Sequence, residues 1–136
     1  MPELHRYRVF ISHAWHRHEG YDRLIRFLDE ANNFIYSNYS VPKDKAFEGM
    51  TNSQLKEQLK KQINPTEVVL ILGGLYVSYS DWIQYEIDHA KSLNKPIIGI
   101  KPWGAQRMPS AVSDAANIVV GWSTSSIVQA IRDYAI

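Results

Sequence analysis

The 136 residues carry 15 Lys and Arg against 14 Asp and Glu, a formal net charge of +1. That balance gives no general attraction to nucleic-acid backbones or anionic membranes, so neither is expected as a partner. A hydrophobic share of 45% with 12% aromatics excludes a disordered chain, and the absence of cysteine excludes disulfides and thiolate zinc sites.

The length fits one domain over residues 1–136. The opening Met1-Pro2-Glu3-Leu4-His5-Arg6 lacks the apolar run of a signal peptide. No stretch approaches the ~20 apolar residues of a membrane span, and a cytoplasmic protein is the expectation. Tyr7 to Ser12 reads as a first strand centred on Val9, Phe10 and Ile11. Tyr21, Leu24, Ile25, Leu28 and Ala31 then fall at helical spacing until Asn32-Asn33. Phe34 to Tyr36 is a short second strand, followed by a polar loop from Asn38 to Met50 that holds Pro42, Lys43 and Lys45. A second helix sets Leu55, Leu59 and Ile63 on one stripe and stops before Asn64-Pro65.

Val68 to Leu72 is apolar at every position, as in a strand buried on both faces, which puts it at the centre of a sheet. Gly73-Gly74 reads as its end, and a third helix is expected from near Ser78, where Ser78 and Asp81 have capping-box spacing. Lys95-Pro96 leads into a strand over Ile97 to Ile100, and a loop with Pro102, Trp103, Gly104 and Pro109 follows. Asn117 to Val120 is a fifth strand, and Ser123 or Thr124 caps a last helix bearing Ile127, Val128, Ile131 and Tyr134. Strands alternating with helices imply an α/β three-layer sandwich of the flavodoxin-like kind, with a mainly parallel five-stranded sheet in the order 2-1-3-4-5 and helices on both faces.

In such a sheet, ligands bind beyond the carboxyl ends of the strands where the winding reverses, here between the first and third strands. The loops beginning at Ser12-His13 and at Gly73-Gly74 border that point, and Lys43, Trp103 and Trp122 lie in the other loops of the same edge. On the third helix, Tyr79, Trp82, Ile83, Ile87, Ala90 and Leu93 share one side, with Asp81, Gln84, Asp88, Lys91 and Ser92 roughly opposite. Glu86 projects near the middle of the apolar side, where an ionised carboxylate without partners is costly. It either pairs with a loop backbone or a cation, or it opens into a crevice and does chemistry. No G-x-x-x-x-G-K-[ST] loop, G-x-G-x-x-G turn or G-x-S-x-G elbow is present. His13, His16 and His18 read as a solvated face rather than a metal site, and His5 and His89 as surface residues.

Ser80-Asp81-Trp82-Ile83-Gln84-Tyr85-Glu86 resembles the Ser-x-Trp-x-x-x-Glu motif of TIR domains, with Ile83 where many of them have cysteine. Phe10-Ile11-Ser12-His13 resembles the end of their first strand, and Pro42 falls at their proline-bearing loop. Gly99-Ile100-Lys101-Pro102-Trp103-Gly104 and Val119-Val120-Gly121-Trp122 are similar to TIR-like proteins of bacterial Thoeris antiphage defence. The resemblance implies an enzyme that cleaves the nicotinamide–ribose bond of NAD and, in some members, cyclises the remainder to a cyclic ADP-ribose-type signal. It implies Glu86 as the catalytic carboxylate, with no cofactor beyond NAD as substrate. A separate effector protein, reached through the diffusible nucleotide, is the expected partner, and TIR relatives often assemble into homo-oligomers.

Around Glu86, Trp82 is equally suited to stacking on a base and to packing in the core. Ser12 and His13 could hydrogen-bond phosphates or ribose, and Lys43 could neutralise pyrophosphate. Gly73 is a turn first and a close-approach point for substrate second, and Trp103 a packing residue first and a pocket wall second. Two other classes compete: a non-enzymatic self-association module, and a nucleoside deoxyribosyltransferase-like N-glycosidic enzyme.

Overall fold

The computed structural model describes residues 5–11, 19–31, 34–39, 52–101, 110–121 and 123–135. Strand and helix alternate along the chain as β1 (Arg6–Ile11), α1 (Glu19–Glu30), β2 (Ile35–Asn38), α2 (Asn52–Ile63) and β3 (Val68–Leu72). They continue as α3 (Gly73–Ser92), β4 (Ile97–Ile100), α4 (Ser110–Ala115), β5 (Ile118–Val120) and α5 (Thr124–Tyr134). The strands form one sheet in the order β2-β1-β3-β4-β5, and every pairing is parallel.

Central placement of β3 follows from its residues. Val68, Val69, Leu70 and Ile71 are all fully buried, because a parallel sheet with helices on both faces removes both sides of its middle strands from water. Val9, Phe10 and Ile11 on one side and Ile97, Ile98 and Ile100 on the other complete this layer. Each such side chain stabilises the fold by roughly 1.5–3 kcal/mol relative to exposure. The helices fall into two packed groups, α1 with α5 and α2 with α3 and α4. With the usual right-handed crossovers these groups fall on opposite faces, because the winding reverses between β1 and β3. Leu24 and Leu28 of α1, Leu59 and Ile63 of α2, and Ile127 and Ile131 of α5 are the fully buried residues of their apolar stripes.

Three sequence expectations need correction. The helix expected from Ser78 begins at Gly73, immediately after β3, so Gly73-Gly74 forms its first turn and Ser78 and Asp81 lie in its interior. A helix's first N–H groups have no intrahelical partner in any case, so glycine at its start carries little penalty and does not force a turn. The stretch after Pro109, expected to be loop, contains α4, whose buried anchor is Val112. Leu93, placed on the apolar side of α3, is 40% exposed because the helix has already ended at Ser92.

That ending is a Schellman cap. Asn94 adopts a φ of 57°, its N–H donates to Lys91 O (3.0 Å), and the Lys95 N–H donates to Ala90 O (2.9 Å). At the start of α5, the Ser123 hydroxyl accepts from the Ser126 N–H (3.1 Å), as the capping pattern predicts. Among the described residues, no helix is long and apolar enough to cross a membrane.

Candidate active site

The winding reverses between β1 and β3, where Val9, Phe10 and Ile11 pair with Val68, Val69 and Leu70. The crevice expected of this fold therefore opens beyond Ile11 and Leu72. Gly73 stands at its lip as the first residue of α3. Ser12, His13, Lys43 and Trp103 lie outside the described residues, as do Pro42, His16, His18 and Trp122. Trp82 is on α3, one turn before Glu86.

Glu86 is fully buried. Its neighbours on the inward side of α3 are Ile83, Ile87 and Ala90, all buried, whereas Asp88, Lys91 and Ser92 are exposed. The sequence reading of the helix faces is therefore correct around this residue. Glu86 is not without a partner, as the cost of isolating a carboxylate from water requires.

Helical geometry places Glu86 about 20 Å along the axis from Gly73, at ~1.5 Å per residue. The five residues of β3 span only about 17 Å. One turn further on, His89 Nε2 lies 2.8 Å from Asn64 Oδ1, just ahead of β3. Glu86 thus sits deep beneath the sheet layer, well back from the lip at Gly73. Beside it, Tyr85 points toward α2: its hydroxyl donates to Lys56 O (3.5 Å), and Lys56 Nζ lies 5.6 Å from its ring centroid. The Tyr85 and His89 rings stack at 6.3 Å. Burial and the positive charge of Lys60 lower the pKa of His89.

A second buried carboxylate was not anticipated from the sequence. Glu67, at the N-terminal edge of β3, accepts from the Arg8 N–H (2.9 Å) and from Arg8 Nε (3.4 Å), and its other oxygen lies 2.7 Å from His5 Nε2. Burial by itself raises the Glu67 pKa, but the hydrogen bonds from Arg8 and His5 and the charge of His5 outweigh it and hold the carboxyl below the usual range. The signal in the sequence is the basic His5-Arg6-Tyr7-Arg8 stretch and a lone acid preceding an apolar strand. It becomes readable only once β1 is known to pair with β3. An aromatic row continues from this clasp, His5 edge-on to Tyr7, Tyr7 stacked on Phe34, and Phe34 stacked on Tyr36. Among the described residues, no three His, Cys, Asp or Glu side chains are grouped to hold a metal ion.

The family profile of the Thoeris protein ThsB, TIR-like domain, matches residues 10–107. That span runs from the end of β1 past Gly73, Trp82 and Glu86. The solved structure of the Clostridium botulinum CMP N-glycosidase, BcmB, superposes with a TM-score of 0.53 at 21% identity, covering 93% of this chain and 99% of that one. The likeness is one of fold. No curated protein matches the chain.

Proposed function

The chain belongs to the family of the Thoeris ThsB TIR-like domain, and from that premise we propose that it cleaves the nicotinamide–ribose bond of NAD with Glu86 as the catalytic carboxylate. One observation carries this reading. A carboxylate with no solvent exposure stands on the apolar side of α3, at the glutamate position of the Ser80-to-Glu86 motif. A carboxylate held out of water is well suited to countering the charge of a developing sugar cation.

The chemistry needs few groups. The ribose C1′–N bond breaks and nicotinamide leaves neutral with the bonding pair, so no strong acid has to protonate it. The ribosyl cation left behind is captured either by water, giving ADP-ribose and a proton, or by a nitrogen of the adenine, giving a cyclic ADP-ribose. Glu86 accepts hydrogen bonds from the ribose hydroxyls and counters the positive charge as it forms. Trp82, one turn earlier on the helix, is the candidate for stacking the base against the ribose, which favours ring closure over attack by water. Ser12, His13 and Lys43 are assigned to ribose and phosphates, Gly73 to close backbone approach at the lip, and Trp103 to the pocket wall. A cyclic product would diffuse to a separate effector. Because Glu86 is fully buried, this reading requires local opening before a ribose reaches it.

A second reading draws on the structural likeness. The protein of similar fold is a CMP N-glycosidase. It supports N-glycosidic cleavage of a nucleoside or nucleotide without nicotinamide, close to the deoxyribosyltransferase-like alternative. The experiment is incubation of wild type and Glu86→Gln with NAD and, separately, with CMP, at high protein concentration and with infected-cell lysate as trigger. Chromatography and mass spectrometry identify the products. Nicotinamide release that disappears in the variant supports the proposal, and the mass of the second product separates cyclase from hydrolase. Base release from CMP alone selects the second reading. No turnover of either substrate under any condition selects an assembly module.

A further inference from the structure

At the N-terminal edge of the sheet, opposite the β1–β3 crevice, Lys91, Asn94, Lys95, Pro96, Asn117 and Tyr134 line a shallow hollow of about 290 Å³. That volume is at the small end of ligand sites, which run from ~300 to 1,000 Å³. Four elements meet here: the capped end of α3, the entries to β4 and β5, and the last residue of α5. We propose that this hollow binds the phosphate group of a small phosphate-bearing anion.

The hydrogen-bonding inventory of the wall carries the inference. Lys91 and Lys95 supply ammonium donors, and neither has an ion-pair partner among the described residues. The Asn117 Oδ1 is already used, accepting from the Ile97 N–H at 2.9 Å, so its amide offers N–H groups outward. Asn94 and Tyr134 add an amide and a hydroxyl. Among the described residues no carboxylate lines the hollow, and two acids near it in sequence are engaged elsewhere, Asp88 with Gln84 (2.9 Å) and Asp133 with Gln129 (2.8 Å). A wall of donors with two positive charges complements an anion with several oxygens.

The geometry is also held in place. The Schellman bonds from Asn94 and Lys95 fix the backbone between the two lysines, and they occupy the Ala90 and Lys91 carbonyls that would otherwise repel an anion at the end of α3. Asn117 is tied on both sides, since its own N–H donates to Ile97 O at 2.7 Å. If the lysines served only to complement the helix dipole, they would bind no anion.

The test is titration calorimetry of the full chain with inorganic phosphate and with pyrophosphate at constant ionic strength. Binding of either probe tighter than about 1 mM is expected, with Lys91→Gln and Lys95→Gln each weakening it by roughly tenfold or more. Asn94→Gly keeps the left-handed backbone and should weaken binding less, while Lys61→Gln on α2 should leave it unchanged. The proposal is overturned if neither probe binds, or if the Lys91 and Lys95 variants bind as well as wild type. It is equally overturned if Lys61→Gln weakens binding as much, or if a single-stranded oligonucleotide binds where both small probes fail.

Discussion

Glu67 and Glu86 are both withdrawn from solvent, yet one lies at the edge of the sheet between two strands and the other on the inward side of a helix, within the Ser80-to-Glu86 motif. Glu67 is accounted for by the fold: it joins the start of β1 to the start of β3, and its charge satisfies an N–H, a guanidinium and an imidazole. Glu86 stands beside Ile83, Ile87 and Ala90 on the inward side of α3, at the glutamate position of the Ser80-to-Glu86 motif. A buried acid that stands in a recognisable motif is therefore a better candidate for chemistry than one whose partners tie two strands together.

Exchanging each acid for its amide breaks or sharpens that contrast. Glu86→Gln should lower NAD turnover by roughly 10²–10³-fold with little change in the urea midpoint. A variant that loses stability but keeps turnover would make Glu86 a second clasp. Glu67→Gln should do the reverse, costing about 1–2 kcal/mol in urea unfolding while turnover per folded molecule is kept, the modest figure reflecting the half-exposed His5 and Arg8.

The same pair differs in acid. The folded pKa of Glu67 is depressed, so its contribution is present above the ordinary glutamate value of about 4.3 and is lost as pH falls through the lower folded value. Wild type should therefore lose stability faster than Glu67→Gln as pH drops below about 4.3. Curves that stay parallel would remove the clasp.

Two smaller effects test how far Glu86 lies from the crevice. Ser123→Ala removes a real N-cap and should cost about 1 kcal/mol, while Ser78→Ala, inside α3, should stay within about 0.5 kcal/mol. A cost at Ser78 equal to that at Ser123 would move the start of α3 forward and bring Glu86 nearer the lip. Smallest of all, Lys60→Gln should raise the His89 pKa seen by NMR, with high salt shrinking the difference.

Much of this was readable from residue order, for reasons that also explain what was missed. The run from Val68 to Leu72 could only be a strand covered on both faces, and Glu86 showed itself as an acid on an apolar helical stripe. Residues 110–115 gave no such signal, because a six-residue helix with one buried anchor at Val112 has no period to detect. Gly73-Gly74 misled because glycine marks turns by its conformational freedom, a freedom that a helix start also tolerates. The clasp at Glu67 depends on His5 and Arg8, some 60 residues away in sequence, and no local pattern reports a pairing made at that range.

The all-parallel topology has a further consequence, for how the chain reaches this state. Val9 cannot meet Val68 until two crossovers have been threaded, and every other strand pairing also waits for a helix to be laid across the sheet. Contacts this distant make for slow folding. Meanwhile Val68-Val69-Leu70-Ile71-Leu72, uncharged and free of proline, stays exposed to other copies of itself. The five residues that anchor the finished sheet are thus also the segment through which freshly made chains would aggregate, so yield in overexpression should rise with slower synthesis or lower temperature.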